Sequence, residues 1–200
     1  GDREALVFQP EGGQVRSMSY DALRAEVGRV AAGLRAAGVG PGDRVAGFMP
    51  NMPETVVAML AATSLGAVWS SCSPDFGIKG VLDRFGQIAP KVLFTPDGYL
   101  FKGKRFDSLA RVGEIIRDLP SIEQVVVVPY TEEQPDPSRV QNGTAWAGFG
   151  TPGAELSFTQ LPFSHPLYIM FTSGTTGLPK CMVQSAGGIL INQLKELVLH

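Results

Sequence analysis

The amino-acid sequence predicts an α/β fold in which a mostly parallel sheet is flanked by helices. Short apolar runs rich in Val, Leu, Ile and Phe alternate along the chain with longer stretches whose apolar residues recur at helical spacing. The apolar runs are continuous, as is typical of parallel strands that are buried on both faces. Because parallel neighbours need crossover connections, we expect helices on both faces of the sheet and ligands beyond the carboxyl ends of its strands.

The first half of the chain predicts a hairpin followed by alternating helices and strands. A tight turn at residues 11–13 separates the two hairpin strands, and Ser19 and Asn51 are residue types that cap helices. Pro53 is compatible with the first turn of the helix after Asn51. The predicted elements are strands at residues 5–9, 15–19, 44–49 and 68–70, a helix at 20–37, and a helix from the Asn51 cap to about residue 65.

The second half continues this alternation around one irregular segment. Residues 131–163 are rich in Pro, Gly, Ser and acidic residues, which predicts an irregular surface segment with one short helix near 144–149. Pro90 is predicted to end a helix, and Ser108 to cap the next. The predicted elements are helices at 78–88, 186–199 and from the Ser108 cap to 119, and strands at 91–94, 124–128, 166–171 and 181–183.

The composition is that of a soluble globular protein, with 44% hydrophobic and 18% charged residues among 200. A net charge of −2 and a pI near 5.7 give no electrostatic footprint for nucleic acid. We see no apolar run long enough to span a membrane and no secretory leader, so we expect a cytoplasmic protein. The chain starts without Met and stops at His200 inside a predicted helix, which we interpret as an excised fragment. No feature indicates an oligomeric state.

The cysteines and histidines predict neither a metal site nor a nucleophilic triad. Cys72 and Cys181 lie far apart without a C-x-x-C pattern, so we expect both to be reduced and structural. His165 lies in a turn before a predicted strand, where a structural role is expected. We therefore predict no metal ligands in this chain.

The strongest functional signal is a nonapeptide that follows the predicted strand at 166–171. Its glycines allow positive φ and a close approach to a ligand, so that successive N–H groups can face one anion. Its hydroxyl groups add donors, and its last residue adds a positive charge. The residues are Thr172, Ser173, Gly174, Thr175, Thr176, Gly177, Leu178, Pro179 and Lys180. This pattern predicts a phosphate-binding loop; the structural alternative is a solvated hairpin loop rich in Gly and Thr.

The nonapeptide is not a Walker loop, because Pro179 and Cys181 stand where G-x-x-x-x-G-K-[ST] requires Gly and a hydroxyl residue. A G-x-G-x-x-G dinucleotide fingerprint is also missing from it. The nonapeptide instead resembles the phosphate-binding loop of the acyl-adenylate-forming superfamily, [ST]-S-G-[ST]-T-G-x-P-K, and matches every fixed position. That superfamily comprises acyl-CoA synthetases, luciferases and the adenylation domains of peptide synthetases.

The resemblance implies a two-step activation of a carboxylic acid. A carboxylate attacks the α-phosphorus of ATP, pyrophosphate leaves, and a thiol captures the acyl-adenylate. Because a carboxylate is already ionised at pH 7, positioning and charge neutralisation supply the catalysis. Residues 172–177 would hold the β- and γ-phosphates and Lys180 would close over them, which makes Lys180, Thr175 and Thr176 the implied catalytic residues.

Other parts of the superfamily's machinery are expected outside this chain. Magnesium is implied as a cofactor of ATP. The acidic residue that holds it, the adenine and ribose contacts, and the hinge with its lysine-bearing C-terminal domain would follow residue 200. The chain is therefore expected to be a partial N-terminal AMP-binding domain.

A narrower resemblance is to the acetoacetyl-CoA synthetase branch of the superfamily. The turn at 38–43 and the strand and helix at 45–66 are shared with acyl-CoA synthetases in general. The stretches that resemble the narrower branch are residues 66–77, 81–88 and 179–183. The chain departs from its relatives at Cys181, where the acetyl-CoA branch usually has Gly, and at Gln184, where many relatives carry His.

Residues 101–105 resemble loosely the stretch that contacts the nucleotide end of coenzyme A in acetyl-CoA synthetases. Lys102, Gly103 and Lys104 would then bind its phosphates. The alternative is a basic run that is simply solvated.

Two aromatic residues have a possible functional interpretation, and one aspartate has a structural one. Trp69 and Phe76 flank a Ser-rich turn and could shape an acyl pocket, although a buried strand position is the favoured explanation of Trp69. Asp83 is expected to pair with Lys79 or Arg84 on a helix surface.

Together these resemblances imply a fragment of an ATP-dependent acetoacetate–CoA ligase that is inactive alone. Its implied partners are the small molecules acetoacetate, ATP and coenzyme A, in lipid and ketone-body metabolism. The alternatives are a ligase for another short oxo or hydroxy acid, an adenylation module that loads a carrier protein, and a non-catalytic nucleotide-binding fragment.

Overall fold

The computed structural model describes residues 1–172 and 177–199. The strands are β1 (Glu4–Phe8), β2 (Arg16–Ser19), β3 (Arg44–Phe48), β4 (Val68–Cys72), β5 (Val92–Pro96), β6 (Gly98–Phe101), β7 (Lys104–Asp107), β8 (Gln124–Val128), β9 (Gly143–Ala145), β10 (Pro166–Phe171) and β11 (Cys181–Ser185). The helices are α1 (Tyr20–Ala36), α2 (Pro53–Ser64), α3 (Ile78–Ile88), α4 (Ser108–Asp118) and α5 (Ala186–Leu199).

The main sheet has seven strands in the order β11-β10-β4-β3-β5-β8-β9. Its neighbouring strands are parallel, except for the antiparallel pair β10 and β11. The pairs β1–β2 and β6–β7 form separate antiparallel hairpins. The predicted α/β fold with a mostly parallel sheet is therefore confirmed.

Both faces of the sheet are covered, because successive residues of a strand point to opposite faces. In β5, Phe94 packs with the apolar sides of α1 and α2, whereas Leu93 packs with those of α3 and α4. Full burial of an aromatic or aliphatic side chain of this size contributes about 1.5–3 kcal/mol. The continuous apolar runs of the sequence are thus explained by a sheet between two helical layers.

Two of the three helix caps in the structure differ from the predicted residues. Ser19 caps α1 as predicted, since its hydroxyl accepts the Ala22 N–H at 3.2 Å. The cap of α2 is Met52 instead of Asn51, and no side chain bonds there. The cap of α4 is Asp107, whose carboxylate accepts N–H groups from the first turn of the helix, so the prediction of Ser108 is wrong by one residue. A carboxylate is a stronger acceptor than a hydroxyl, which favours Asp107.

The hairpin β6–β7 is absent from the predicted elements. Its strands have four residues each, and Tyr99 stacks on Phe106 across it with ring centroids 5.0 Å apart. The basic run at 101–105 therefore forms the tip of a hairpin, which follows directly on the carboxyl end of β5.

The segment 131–163 is mostly irregular, as predicted, and a 3-10 turn at Trp146–Gly148 confirms the short helix expected near 144–149. The strand β9, which this segment adds to the edge of the sheet, was not predicted. Arg29 of α1 holds the segment in place: its guanidinium donates to the carbonyl oxygens of Trp146, at 2.9 Å, and of Phe149. These long-range bonds explain why a stretch without apolar periodicity is ordered.

The apolar side chains of α5 and β11 face outward. Leu194 and Leu197 of α5 are 51% and 79% exposed, and Val183 of β11 is 58% exposed. No helix within residues 1–172 and 177–199 is both long and apolar enough to cross a membrane. The described residues thus leave one apolar face of the chain without a packing partner.

Candidate functional site

The predicted phosphate-binding loop connects β10 to β11 at the carboxyl edge of the sheet. Phe171 and Cys181 are the last paired residues of the two strands. The backbone N–H of Thr172 donates to the carbonyl oxygen of Lys180 at 3.1 Å, which closes the base of the loop. Gly177 has a φ of 105°, a conformation that favours glycine, and the side chain of Lys180 is exposed. Lys180 therefore starts from a fixed backbone position with an exposed side chain.

A glutamine on α3 holds the second arm of the loop. The amide nitrogen of Gln87 donates to the carbonyl oxygen of Pro179 at 2.9 Å and to that of Asp83 at 2.6 Å. Its amide oxygen lies 3.5 Å from the thiol of Cys181, which donates to it. The loop arm from Pro179 to Cys181 is thus attached to the helical layer as well as to β10.

A cavity of about 520 Å³ opens beside this loop, at the carboxyl ends of β4 and β10. Its position agrees with the rule that parallel sheets bind ligands beyond the carboxyl ends of their strands. Its walls combine aromatic, hydroxyl, thiol and guanidinium groups. The lining residues are Met59, Trp69, Ser70, Ser71, Cys72, Ser73, Phe76, Arg84, Tyr168, Ile169, Met170 and Phe171.

Two aromatic side chains give the cavity its shape. Trp69 is only 4% exposed, and its ring lies over Gly47, where an added Cβ would come within 2.8 Å of it. The guanidinium group of Arg84 lies over the Phe76 ring, with its central carbon 4.3 Å from the ring centroid. The Arg84 group also donates to the Gly80 carbonyl oxygen at 2.7 Å. Trp69 is therefore both a buried strand residue and part of the cavity wall. Phe76 also lines the cavity, where it stacks with the cationic group of Arg84.

The cavity keeps its thiol and phenol in neutral form. Burial raises the pKa of the Cys72 thiol to about 11, and the nearby Arg84 charge opposes part of this rise. Burial also raises the pKa of Tyr168 above its ordinary value. Both groups therefore stay protonated at neutral pH and can act as hydrogen-bond donors, while Arg84 is the cation of the wall.

The predicted coenzyme A residues lie together at the tip of the β6–β7 hairpin. Lys102 and Gly103 have φ values of 52° and 73°, as in the two-residue turns of tight hairpins. The Gly103 N–H donates to a carboxylate oxygen of Glu11 at 2.5 Å, and the side chains of Lys102 and Lys104 are exposed. The tip thus presents two cations and an amide donor that already binds an anionic oxygen.

The loop and the hairpin lie on the same edge of the sheet. β10, β4, β3 and β5 are parallel neighbours, so their carboxyl ends point the same way. Adjacent strands are about 4.8 Å apart, and the three intervals from β10 to β5 place the two features roughly 14 Å apart at their bases.

The protein-family model described as AMP-binding enzyme matches residues 1–198 of this chain, which include the loop and the hairpin. The chain belongs to the AMP-binding enzyme family. Its sequence-based resemblance to acyl-adenylate-forming enzymes is thereby confirmed.

Relatives within the AMP-binding family include several acetoacetyl-CoA synthetases. That of Rattus norvegicus is 48% identical over 207 residues, which cover 100% of this chain and 31% of the relative. That of Rhizobium meliloti (strain 1021) is 50% identical over 203 residues, with the same coverage of 100% and 31%. The solved acetoacetyl-CoA synthetase from Streptomyces lividans superposes with a TM-score of 0.91 at 46% identity, covering 98% of this chain and 30% of that chain. The chain thus spans about a third of the length of these relatives, and the resemblance to this branch is confirmed.

The structure of this AMP-binding chain brings some of the predicted site residues together. Thr172, Gly177 and Lys180 lie at the two ends of the loop, and the three hairpin residues share one tip. The loop residues outside the described part of the chain are Ser173, Gly174, Thr175 and Thr176. Their roles, and the binding of ligand by the others, stay predictions.

The remaining sequence-based expectations concern single side chains. The imidazole Nε2 of His165 lies 2.8 Å from the Gly66 carbonyl oxygen, which fits a structural role. Lys79 pairs with Asp83 at 2.6 Å, as expected. Both cysteines are free; Cys72 is buried, whereas Cys181 is exposed with its thiol donating to Gln87. The structural role expected for each stays a prediction.

Three residues of the site were missed by sequence reasoning. The sequence analysis names Arg84 only as a possible partner of Asp83, and it assigns no individual role to Gln87 or to Asp97, a buried carboxylate at the base of the β6–β7 hairpin. Each acts through a partner distant in sequence or through a cavity wall, which a local pattern does not reveal. Among residues 1–172 and 177–199, no cluster of three or more His, Cys, Asp or Glu side chains is placed to hold a metal ion.

Proposed function

We propose that this chain is the phosphate-binding part of an ATP-dependent acid–thiol ligase. The observation that carries the proposal is the loop between Thr172 and Lys180, closed by a backbone hydrogen bond beside a cavity of about 520 Å³. The nonapeptide sequence supplies hydroxyl, amide and ammonium donors at this point. Such groups stabilise charge on a transferring phosphoryl group when they are held in place before the reaction.

We propose acetoacetate as the acid, because the relatives at 48% and 50% identity are acetoacetyl-CoA synthetases. In the first step a carboxylate oxygen of acetoacetate attacks the α-phosphorus of ATP, the bond to pyrophosphate breaks, and acetoacetyl-adenylate forms. In the second step the thiol sulfur of coenzyme A attacks the acyl carbon. AMP leaves, the thiol proton is released to solvent, and acetoacetyl-CoA is the product.

The residues of this chain divide the work between two places. At the loop, Lys180 and the hydroxyls of Thr175 and Thr176 neutralise and orient the β- and γ-phosphates of ATP, together with the remaining loop residues from Thr172 to Gly177. At the hairpin tip, Lys102, Gly103 and Lys104 bind phosphates of coenzyme A. The cavity beside the loop has the position of a channel for the acyl group or for the thiol arm that captures it.

Magnesium is proposed as the counterion of the ATP phosphates. The loop offers hydroxyl oxygens and an ammonium group, which suit phosphate better than a divalent cation. The described residues include no cluster of acidic side chains for the ion. We infer that carboxylate ligands of magnesium come from other parts of the full-length protein.

The rest of that protein is proposed to cover the apolar face of α5 and β11. Exposed apolar side chains such as Leu194 and Leu197 on one helix mark a packing surface. The relatives are about three times as long as the matched region, since that region is 31% of their length. We propose that a continuation of the N-terminal domain packs on this face, and that the complete enzyme is a cytoplasmic ligase of lipid and ketone-body metabolism.

The test is acid-dependent ATP–pyrophosphate exchange by the full-length protein, followed by product formation with coenzyme A. Acetoacetate is expected to exceed acetate, propionate and 3-hydroxybutyrate by at least tenfold in kcat/KM, which corresponds to about 1.4 kcal/mol of transition-state discrimination. A different leading acid would contradict the substrate. Exchange without turnover of coenzyme A would instead favour a carrier-loading module, and the absence of exchange with every acid would contradict the proposed function.

A further inference from the structure

Asp97 is a buried carboxylate at the base of the β6–β7 hairpin. Its side chain is 0% exposed. One oxygen accepts the backbone N–H of Tyr130 at 2.6 Å and that of Thr131 at 3.0 Å, and the other accepts the hydroxyl of Thr131. The guanidinium of Arg105, in β7, lies 3.8 Å from the same carboxylate. A buried charge is tolerated only when it is hydrogen-bonded and neutralised in this way, so the arrangement has one well-defined geometry.

The backbone of Asp97 joins the same elements. Its N–H donates to the Val128 carbonyl oxygen of β8 at 3.1 Å, and its carbonyl oxygen accepts the N–H of Ser108 in α4 at 3.1 Å. At the next residue, Gly98, an added Cβ would come within 2.6 Å of the Phe106 carbonyl oxygen and 2.9 Å of the Thr131 hydroxyl. The base of the hairpin is therefore packed against the segment after β8 without room to shift.

The far end of the hairpin has the chemistry of an anion site. The Gly103 N–H donates to a carboxylate oxygen of Glu11 in the same chain, so this amide is placed to donate to an anionic oxygen. Lys102 and Lys104 flank that amide and are exposed. Arg105, in contrast, pairs with Glu132 and lies near Asp97, so its charge is already matched by two carboxylates of the chain.

We propose that Asp97 is a positioning residue for coenzyme A. Through its bonds to Tyr130 and Thr131 it fixes the base of the hairpin, and thereby the place of Lys102 and Lys104 on the sheet edge that carries the ATP loop. The inference rests on the proposed function, and it adds a residue that contacts neither substrate. Because the adenylation step does not use coenzyme A, loss of this positioning affects only the second step.

The experiment compares the two half-reactions in the full-length protein. Asp97→Asn keeps the shape of the side chain but removes its charge and one acceptor oxygen. The KM for coenzyme A is expected to rise about tenfold, since hydrogen bonds to a charged group are lost. Acetoacetate-dependent ATP–pyrophosphate exchange is expected to stay within about twofold of the parent, which a merely structural defect would not allow.

Three further variants sharpen the comparison. Thr131→Val removes only the hydroxyl bond and is expected to raise the KM for coenzyme A by about threefold, which gives a second measurement if Asp97→Asn does not fold. Asp118→Asn, an exposed position at the end of α4, is the matched control and is expected to change neither half-reaction. The double change Lys102→Ala with Lys104→Ala is also expected to raise the KM for coenzyme A.

Each possible result supports or overturns the proposal. Equal loss of both half-reactions in Asp97→Asn and Thr131→Val would overturn it in favour of a purely structural role. An unchanged KM for coenzyme A in those variants, or in the double lysine variant, would also overturn the role of Asp97. The proposed ligase function would still stand in that case if the parent protein catalyses the exchange reaction. Absence of exchange in the parent protein would instead overturn the proposed function on which it rests.

Discussion

The backbone N–H of Thr172 donates to the carbonyl oxygen of Lys180 at 3.1 Å, so the two ends of the nonapeptide are direct neighbours. This bond continues the pairing of β10 with β11 by one step beyond Phe171 and Cys181. Lys180 is thus the first residue outside the strand, placed at the mouth of the loop with its side chain exposed. The position suits a cation that closes over bound phosphates.

Gln87 is predicted to support ATP binding through the arm of this loop. Gln87→Ala removes the hydrogen bond to the Pro179 carbonyl oxygen, which has a length of 2.9 Å. Loss of one such bond costs about 0.5–1.5 kcal/mol, so we expect the KM for ATP to rise roughly two- to tenfold in the exchange reaction of the full-length protein. Lys79→Ala, which breaks an exposed ion pair on the same helix, is the control and should leave this KM unchanged. Equal effects of the two changes would contradict a specific role of Gln87.

The two cysteines are predicted to differ in reactivity. Burial raises the pKa of Cys72 to about 11, so at pH 8 only about a thousandth of this thiol is thiolate, the reactive form. Cys181 is exposed and should react first with iodoacetamide. Peptide mass spectrometry of the folded protein should therefore find modification at Cys181 long before Cys72, and comparable rates only in denaturant. Faster alkylation of Cys72 in the folded state would contradict the burial of the cavity wall.

The start of α4 predicts that substitutions of two adjacent residues change stability differently. Asp107→Ala removes the cap bonds to Leu109 and Ala110 and an ion pair with Arg139, and should lower the free energy of unfolding by about 1 kcal/mol. Ser108→Ala removes a buried hydroxyl that has no hydrogen-bond partner in the described part of the chain. Its loss should be neutral or slightly stabilising, because no bond is broken.

Chemical denaturation of the full-length protein measures both changes as shifts of the midpoint. The account of this helix start is contradicted if Ser108→Ala destabilises the protein more than Asp107→Ala does. Such a result would mean that the serine hydroxyl, as the sequence first suggests, is the functional cap.

The sequence predicts most elements of the fold because their signals are local. The strands at 92–96 and 124–128 are continuous apolar runs, and α3 and α4 have a clear apolar side. The hairpin β6–β7 was missed because its strands have four residues each and carry charges next to aromatic residues, a composition that also fits exposed coil. The cap of α4 was misplaced because Asp107 and Ser108 are both capping residue types and only the geometry distinguishes them.

The candidate site likewise has parts that a local sequence pattern reveals and parts that it does not. The loop from Thr172 to Lys180 is recognisable because its nine residues are consecutive. Gln87 is not recognisable from the sequence, since its partner Pro179 lies 92 residues away. Asp97 is not recognisable either, because its partners lie 33 and 34 residues away. Contacts of this kind depend on strand order, which the sequence pattern alone does not specify.

The central claim is that the loop ending at Lys180 binds the phosphates of ATP for acid activation. The most direct test is the rate of AMP and pyrophosphate formation from acetoacetate, ATP and coenzyme A by the full-length protein, beside its Lys180→Ala and Lys180→Arg variants. We predict that Lys180→Ala lowers kcat/KM by about a hundredfold or more, and that Lys180→Arg, which keeps the charge, retains part of the activity. An alanine variant that is as active as the parent would contradict the claim.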